Sequence, residues 1–121
     1  LLKRFELTKE EHKEIADYCL VKNIKYLCTP WDRKSLETLE EFGVEAYKVA
    51  SADLTNIPLI DAICDTNKPI ILSTGMSTND EVKEVVSFLN QRNAEFCSSN
   101  YPPICGAAPE LWTTQLRTHI S

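Results

Sequence analysis

The sequence is poor in the residues that most often announce a function. Its 121 residues include three glycines, two histidines and one methionine, and they contain no Gly-rich phosphate loop, no dinucleotide fingerprint and no Ser-His-Asp pattern. No run approaches the roughly 20 apolar residues that a membrane helix needs. The N-terminus lacks a basic stretch leading into an apolar core, so no signal peptide is read. Clustered basic residues are also missing: 13 Lys and Arg are scattered among 18 Asp and Glu, for a net charge of −5. That balance argues against a nucleic-acid surface, although local cations can still hold a small anion. The five cysteines, Cys19, Cys28, Cys64, Cys97 and Cys105, form no CxxC pair and no zinc-type spacing with histidine. Most sit in apolar surroundings and read as reduced core thiols of a cytosolic protein, not as a disulfide framework.

What is present is a rhythm. Thr8 with Glu11 makes a capping box for a helix expected over about Lys9 to Lys22, with Ile15, Tyr18, Cys19 and Val21 near one face and Asn23 as its stop. Ile24–Cys28 reads as a strand. Asp32 can cap a helix from Arg33 to Phe42 that Gly43 ends, and Glu45–Val49 is the next strand. A short helix runs from Pro58 to about Asp65, Asn67 and Lys68 turn into a strand over Pro69–Leu72, and a helix follows from Asn79 to Gln91. Ser77 or Thr78 caps that helix, and Val82, Val85, Val86 and Leu89 form its apolar stripe. A last strand covers Ala94–Cys97. Strand starts at 24, 45, 69 and 94 lie 21, 24 and 25 residues apart. Strands alternating with helices at that spacing predict βα units on a parallel sheet, the α/β class. Residues 98–121 carry turn signals and one weak helical pattern, Glu110–His119, and form a tail of unassigned structure.

Each predicted strand ends in polar chemistry. Thr29 follows the first, Lys48 lies inside the second with Ser51 and Asp53 just beyond, Ser73 follows the third, and Ser99 and Asn100 follow the fourth. In parallel α/β proteins ligands bind at the carboxyl ends of the strands. Hydroxyls and free N–H groups ahead of helix N-termini suit phosphate or carboxylate, and Lys48, with Arg33 nearby, supplies cations. Each residue also has a plainer reading: a strand lysine can be a solvated edge residue, Ser and Thr at strand ends can simply cap helices, and Asp53 can serve a turn. His12 and His119 read as solvated.

Four strings carry a resemblance: Cys28-Thr29-Pro30-Trp31-Asp32-Arg33, Ala46-Tyr47-Lys48-Val49-Ala50-Ser51-Ala52-Asp53, Asn56-Ile57-Pro58-Leu59-Ile60, and Lys68-Pro69-Ile70-Ile71-Leu72-Ser73-Thr74-Gly75-Met76. In order and register, from about Leu7 to Phe96, they resemble the sialic acid synthase family, which condenses phosphoenolpyruvate with an N-acetylmannosamine-type sugar. The resemblance implies a (β/α)8 TIM barrel, of which this chain would hold about strands 2 to 5, with residues 1–97 a partial catalytic domain and 98–121 a divergent tail. By position, Thr29, Lys48, Ser51 and Ser73 match residues that hold the phosphate and carboxylate of phosphoenolpyruvate. Asp53 matches an acidic residue that contacts the sugar, and Lys48 and Asp53 would be the catalytic pair. Ser99 and Tyr101 are the nearest equivalents in a fifth-strand segment about four residues shorter than the family's. Ala50 and Ala52 stand where the family has glycines, and no resemblance is found from Pro103 onward.

The implied reaction opens the sugar to its aldehyde. C3 of phosphoenolpyruvate attacks that carbon, water adds at C2, and the intermediate collapses with loss of phosphate, whose charge Lys48 would offset without forming a Schiff base. A divalent metal, manganese or magnesium, would polarise the carbonyl, its ligands lying in parts of the barrel outside this chain. The resemblance further implies a cytoplasmic enzyme, homodimeric at full length, with no nucleic-acid or membrane partner. The sequence begins without an initiator Met and reads as the middle of something longer. Half a barrel would leave two open edges and an uncovered inner face, so the chain alone is expected to be inactive and prone to associate. Two other readings stay open: another TIM-barrel aldolase or phosphoenolpyruvate aldol synthase, and a non-catalytic truncated paralogue that binds an anionic ligand or a partner.

Overall fold

The structure, a computed structural model, describes residues 6–98 and 105–106. Its elements are α1 (Lys9–Val21), α2 (Arg33–Glu41), β1 (Tyr47–Val49), α3 (Ile57–Cys64), β2 (Ile70–Leu72), α4 (Asn79–Gln91), β3 (Phe96–Ser98) and β4 (Cys105–Gly106). The starts follow local chemistry. Thr8 and Glu11 exchange capping-box bonds at the head of α1, and Thr78 and Glu81 do the same for α4. Asp32 and Asn56 cap α2 and α3 through the N–H groups of Ser35 and Leu59. The ends share one device: Asn23, Asn67 and Asn93 take φ of 57°, 55° and 53°, and Gly43 takes 68°. These left-handed residues turn each helix back toward the sheet, where asparagine pays less than other side chains for that conformation.

Strand order follows chain order, β1-β2-β3-β4, with β1, β2 and β3 parallel. Tyr47 lies opposite Ile70, and Ile70 opposite Phe96. One core joins Tyr47, Val49, Ile70, Leu72 and Phe96 to Leu36 and Leu39 of α2, Leu59, Ile60 and Ile63 of α3, and Val85 and Leu89 of α4. The helices therefore cover one face of the sheet. Their outer ends are tied by charge. The Tyr47 hydroxyl donates to Glu40, which also accepts from Lys68 Nζ at 2.8 Å. Lys68 Nζ in turn sits 5.7 Å from the Tyr47 ring centroid. Arg92, just past α4, pairs with Asp61 and Asp65 at the end of α3.

The parallel α/β prediction is observed, and several details differ from expectation. The strand expected over Ile24–Cys28 is a single bridge, Cys28 to Tyr47, because this edge has one neighbour and only Cys28 reaches it. Helix α1 buries none of its residues; Ile15, Tyr18 and Val21 are exposed. His12 is engaged, not solvated: its Nδ1 lies 2.8 Å from the Tyr26 hydroxyl and its ring stacks on Phe42. Burial, with Cys28 nearby, pushes the Tyr26 hydroxyl up to about 12. Cys19, Cys28 and Cys64 are free thiols, and burial raises the Cys64 thiol, but Cys97 is disulfide-bonded. Strand β4 runs antiparallel to β3, with Cys105 opposite Cys97 in the backbone register. Of the two sheet edges expected to be open, the one at β3 is thus covered by β4. The helical pattern at Glu110–His119 lies outside the described residues.

Burial alone would raise the Glu40 carboxyl, but the bonds from Lys68 and Tyr47 outweigh it and hold the group below its ordinary value. A depressed folded-state pKa gives stability that is present above the unfolded value and lost as pH falls through the folded one. Glu40→Gln is expected to cost roughly 0.5–1 kcal/mol at pH 7, a small figure because the pair is partly exposed to screening solvent. In urea melts from pH 7 to 3 the gap between the variant and the parent should close below about pH 4. A gap that stays constant would contradict this assignment.

Candidate functional site

The strand period decides which side chains can meet a ligand. Tyr47 and Val49 are buried against the helices, so Lys48 between them turns to the other face and is exposed. The bridge sets Cys28 opposite Tyr47, and the Lys48 N–H donates to the Cys28 carbonyl at 3.4 Å, which brings Thr29 level with Lys48. Ile71 is paired with Lys48 on β2. Two residues on, Ser73 returns to the same face, its N–H donating to the Val49 carbonyl at 3.1 Å. Lys48 and Ser73 therefore share the face that the helices leave uncovered, and Thr29 stands level with Lys48 just past the bridge. Among the described residues no carboxylate pairs with the Lys48 ammonium.

Ser51 and Asp53 lie in a single 3-10 turn, Ser51–Asp53, between β1 and α3. The turn closes with the Asp53 N–H on the Ala50 carbonyl at 2.9 Å, and the Asn56 N–H on the Asp53 carbonyl at 3.0 Å delivers the chain into α3. Ala50 takes φ −67° and ψ 150°, open to any residue, so alanine here is unstrained although the resemblance would expect glycine. Asp53 Oδ2 is buried and has no hydrogen-bond partner among the described residues. A buried carboxylate oxygen left so is costly to folding. The N-termini of α3 and α4 open at this same end of the sheet, and their dipoles add partial positive charge there.

The sequence-predicted residues thus divide. Thr29, Lys48, Ser51, Asp53 and Ser73 gather at the carboxyl ends of adjacent strands. Ser99, Tyr101 and Asn100 lie outside the described residues. Arg33 opens α2, which Asp32 caps; the Ser35 N–H holds the Asp32 carboxyl below its usual range. Thr74 and Ser98, two buried hydroxyl residues at the ends of β2 and β3, belong to the polar strand ends of the sequence but were not among its site candidates. Their signal was a polar residue at the end of an otherwise apolar strand. A cavity of about 700 Å³ between α1 and α2 is lined by His12, Thr29, Trp31, Lys34 and Ser35 among others, and takes in none of Lys48, Ser51, Asp53 or Ser73. Among the described residues no three of His, Cys, Asp and Glu come together as a metal site. No helix of the described residues is long and apolar enough to cross a membrane.

A one-layered parallel βα wall with polar strand ends defines an α/β domain of the kind that binds ligands at its strand termini. The chain belongs to the NeuB family, whose model matches residues 1–109. It is 34% identical over 109 residues to the N,N'-diacetyllegionaminic acid synthase of Campylobacter jejuni, covering 84% of this chain and 33% of that enzyme. It is 39% identical over 107 residues to an uncharacterized protein of Methanocaldococcus jannaschii, covering 84% and 32%. Among solved structures it is similar to the N-acetylneuraminic acid (sialic acid) synthetase of Leptospira borgpetersenii in complex with citrate, with TM-score 0.72 and 36% identity, covering 80% of this chain and 35% of that one. The chain spans about a third of the length of these relatives, and the relatives with an assigned activity are named as sugar-acid synthases.

An orphaned carboxylate that serves a ligand should be dispensable for folding. Asp53→Ala is expected to leave stability unchanged or to raise it by up to about 1–2 kcal/mol, read from the urea midpoint. A loss of more than about 1 kcal/mol would mean that Asp53 is a structural turn residue.

Proposed function

We propose that this chain is the phosphoenolpyruvate-holding part of a (β/α)8 barrel of the sialic acid synthase type, acting in the condensation of phosphoenolpyruvate with an N-acetylmannosamine-type sugar or its 6-phosphate. The observation that carries this reading is the common face of Lys48 and Ser73, with Thr29 level with Lys48, beside the Ser51–Asp53 turn. Strand order equal to chain order, with one core behind the sheet, is the pattern of a barrel wall and not of a doubly wound sheet. A solved relative held in complex with citrate, an anion with several carboxylates, also agrees with an anion-binding reading.

In this proposal the Lys48 ammonium meets the phosphate of phosphoenolpyruvate as a point charge. The hydroxyls of Thr29, Ser51 and Ser73 hold the remaining phosphate and carboxylate oxygens, and Ser99 and Tyr101 extend the set. Asp53 accepts a hydroxyl of the sugar, which would give its buried oxygen the partner that the described residues do not supply. As phosphate leaves C2, Lys48 offsets the charge that develops. A divalent metal would act on the sugar carbonyl, but the described residues provide it no site. Cytoplasmic location and homodimeric assembly belong to the same proposal for the whole enzyme. Because the chain spans a third of its relatives, binding without turnover is the activity expected of it alone.

The test is calorimetric titration of the chain with phosphoenolpyruvate. Lys48→Ala should weaken binding by about tenfold or more, equivalent to about 1.4 kcal/mol, while Asp53→Ala should leave phosphoenolpyruvate affinity unchanged. Equal affinity of the parent and Lys48→Ala would refute the assignment.

A further inference from the structure

The loop between Cys28 and α2 presents a tryptophan that the strand-end site does not use. Pro30 is fully buried and Asp32 is tied to the Ser35 N–H. Trp31 therefore stands between two fixed neighbours, yet it is 64% exposed. It borders the cavity of about 700 Å³ between α1 and α2. These are consecutive helices of the described chain, so the groove is complete in itself and does not depend on a further unit. Leu39 and Phe42 give its lining an apolar part, and His12, Lys34, Ser35 and Thr38 a polar one. His12 is held in one orientation: its ring stacks on Phe42 with centroids 6.3 Å apart, and the Tyr26 hydroxyl lies 2.8 Å from Nδ1. With Tyr26 donating to Nδ1, the ring proton sits on Nε2, a donor with no partner among the described residues. Lys34 makes no ion pair among the described residues, although its charge helps to lower the Asp32 carboxyl. Lys9 is taken up by Glu41, and Glu6 is the one carboxylate among the lining residues.

We propose that the groove between α1 and α2 is a second small-molecule site, distinct from the Lys48 face, and that it takes a phosphorylated ring ligand, a sugar phosphate or a nucleoside monophosphate. The exposed indole of Trp31 offers a flat apolar face to a sugar ring or a base. The Lys34 ammonium and the Nε2–H of His12 are the donors for the phosphate. The Thr38 hydroxyl donates to the Lys34 carbonyl at 3.1 Å and keeps its lone pairs for a ligand hydroxyl. The volume lies within the roughly 300–1,000 Å³ of ordinary ligand sites, and phosphoenolpyruvate, which has no ring, would leave much of it unfilled. A bare anion would meet a single unpaired lysine with Glu6 on the same wall, so stacking on the indole is part of the recognition and not an addition to it. Thr29 borders the cavity and also stands level with Lys48, so the two sites share a wall. The inference goes beyond the barrel reading and does not require it.

The experiment is titration of the isotope-labelled chain with glucose 6-phosphate and, separately, with adenosine monophosphate, read from backbone amide shifts, with inorganic phosphate as the control. At least one of the two should give saturable shifts at residues 9–12 and 29–38, and inorganic phosphate should bind about tenfold more weakly or less. Binding of the sugar phosphate supports the proposal with the indole under a sugar ring, and binding of the nucleotide supports it with the indole under a base. Trp31→Ala and Lys34→Gln, both at exposed positions, should each weaken binding by about fivefold or more with unchanged circular dichroism, while Lys83→Gln on α4 should not. No saturable shift with either ligand, equal affinity for inorganic phosphate, shifts centred on residues 48–53 and 73–75, or parent affinity in both variants would each overturn the proposal. None of these probes is phosphoenolpyruvate, so the groove and the strand-end site can fail independently.

Discussion

The structure depends on the burial of alternate residues in β1. Tyr47 and Val49 are almost wholly removed from solvent, and at about 25 cal/mol per Å² of apolar surface this is among the strongest local preferences in the chain. The strand period then leaves Lys48 no position but the opposite face, and a one-residue slip would exchange a buried tyrosine for a buried ammonium. The parallel register passes the same constraint to β2 and β3, where Ile70, Leu72 and Phe96 occupy the buried phase. Outside the core, the Tyr47 hydroxyl is bound to Glu40, and burial together with that carboxylate raises the phenol far above its ordinary range. The residue that fixes the register is therefore also the one that anchors α2.

Elements governed by nearest neighbours could be read from the sequence. Thr8 with Glu11, Asp32 and Thr78 announce their helices because a cap needs only the next three residues, and Asn23, Asn67 and Gly43 mark ends for the same reason. The gathering of Thr29, Lys48, Ser51, Asp53 and Ser73 was legible because strand ends of parallel βα units must lie side by side. Less legible was anything set by a distant partner. Whether Ile15 and Tyr18 are buried depends on what lies beyond the Cys28 edge. His12 is drawn in by Tyr26, 14 residues away. Cys97 looks like any core thiol in the sequence, yet it is disulfide-bonded.

Stability and function pull differently on the two halves of this small domain. The α3–α4 half is closed by Arg92 on Asp61 and Asp65 over a core in which Ile60, Ile63 and Leu89 have no exposed surface. The strand ends opposite carry an exposed lysine, a buried carboxylate oxygen without a partner among the described residues, and the N-terminal ends of two helices. Groups of that kind cost folding energy and persist where a ligand supplies what the fold withholds.

Whether the Lys48 face receives an anion decides whether these strand ends form a ligand site. The direct measurement is a backbone amide chemical-shift map of the isotope-labelled chain titrated with phosphoenolpyruvate. An anion held at the Lys48 face gives saturable shifts that gather at residues 29, 48–53 and 73–75. Shifts centred instead on the cavity of His12, Trp31 and Lys34, or none at all, would contradict it.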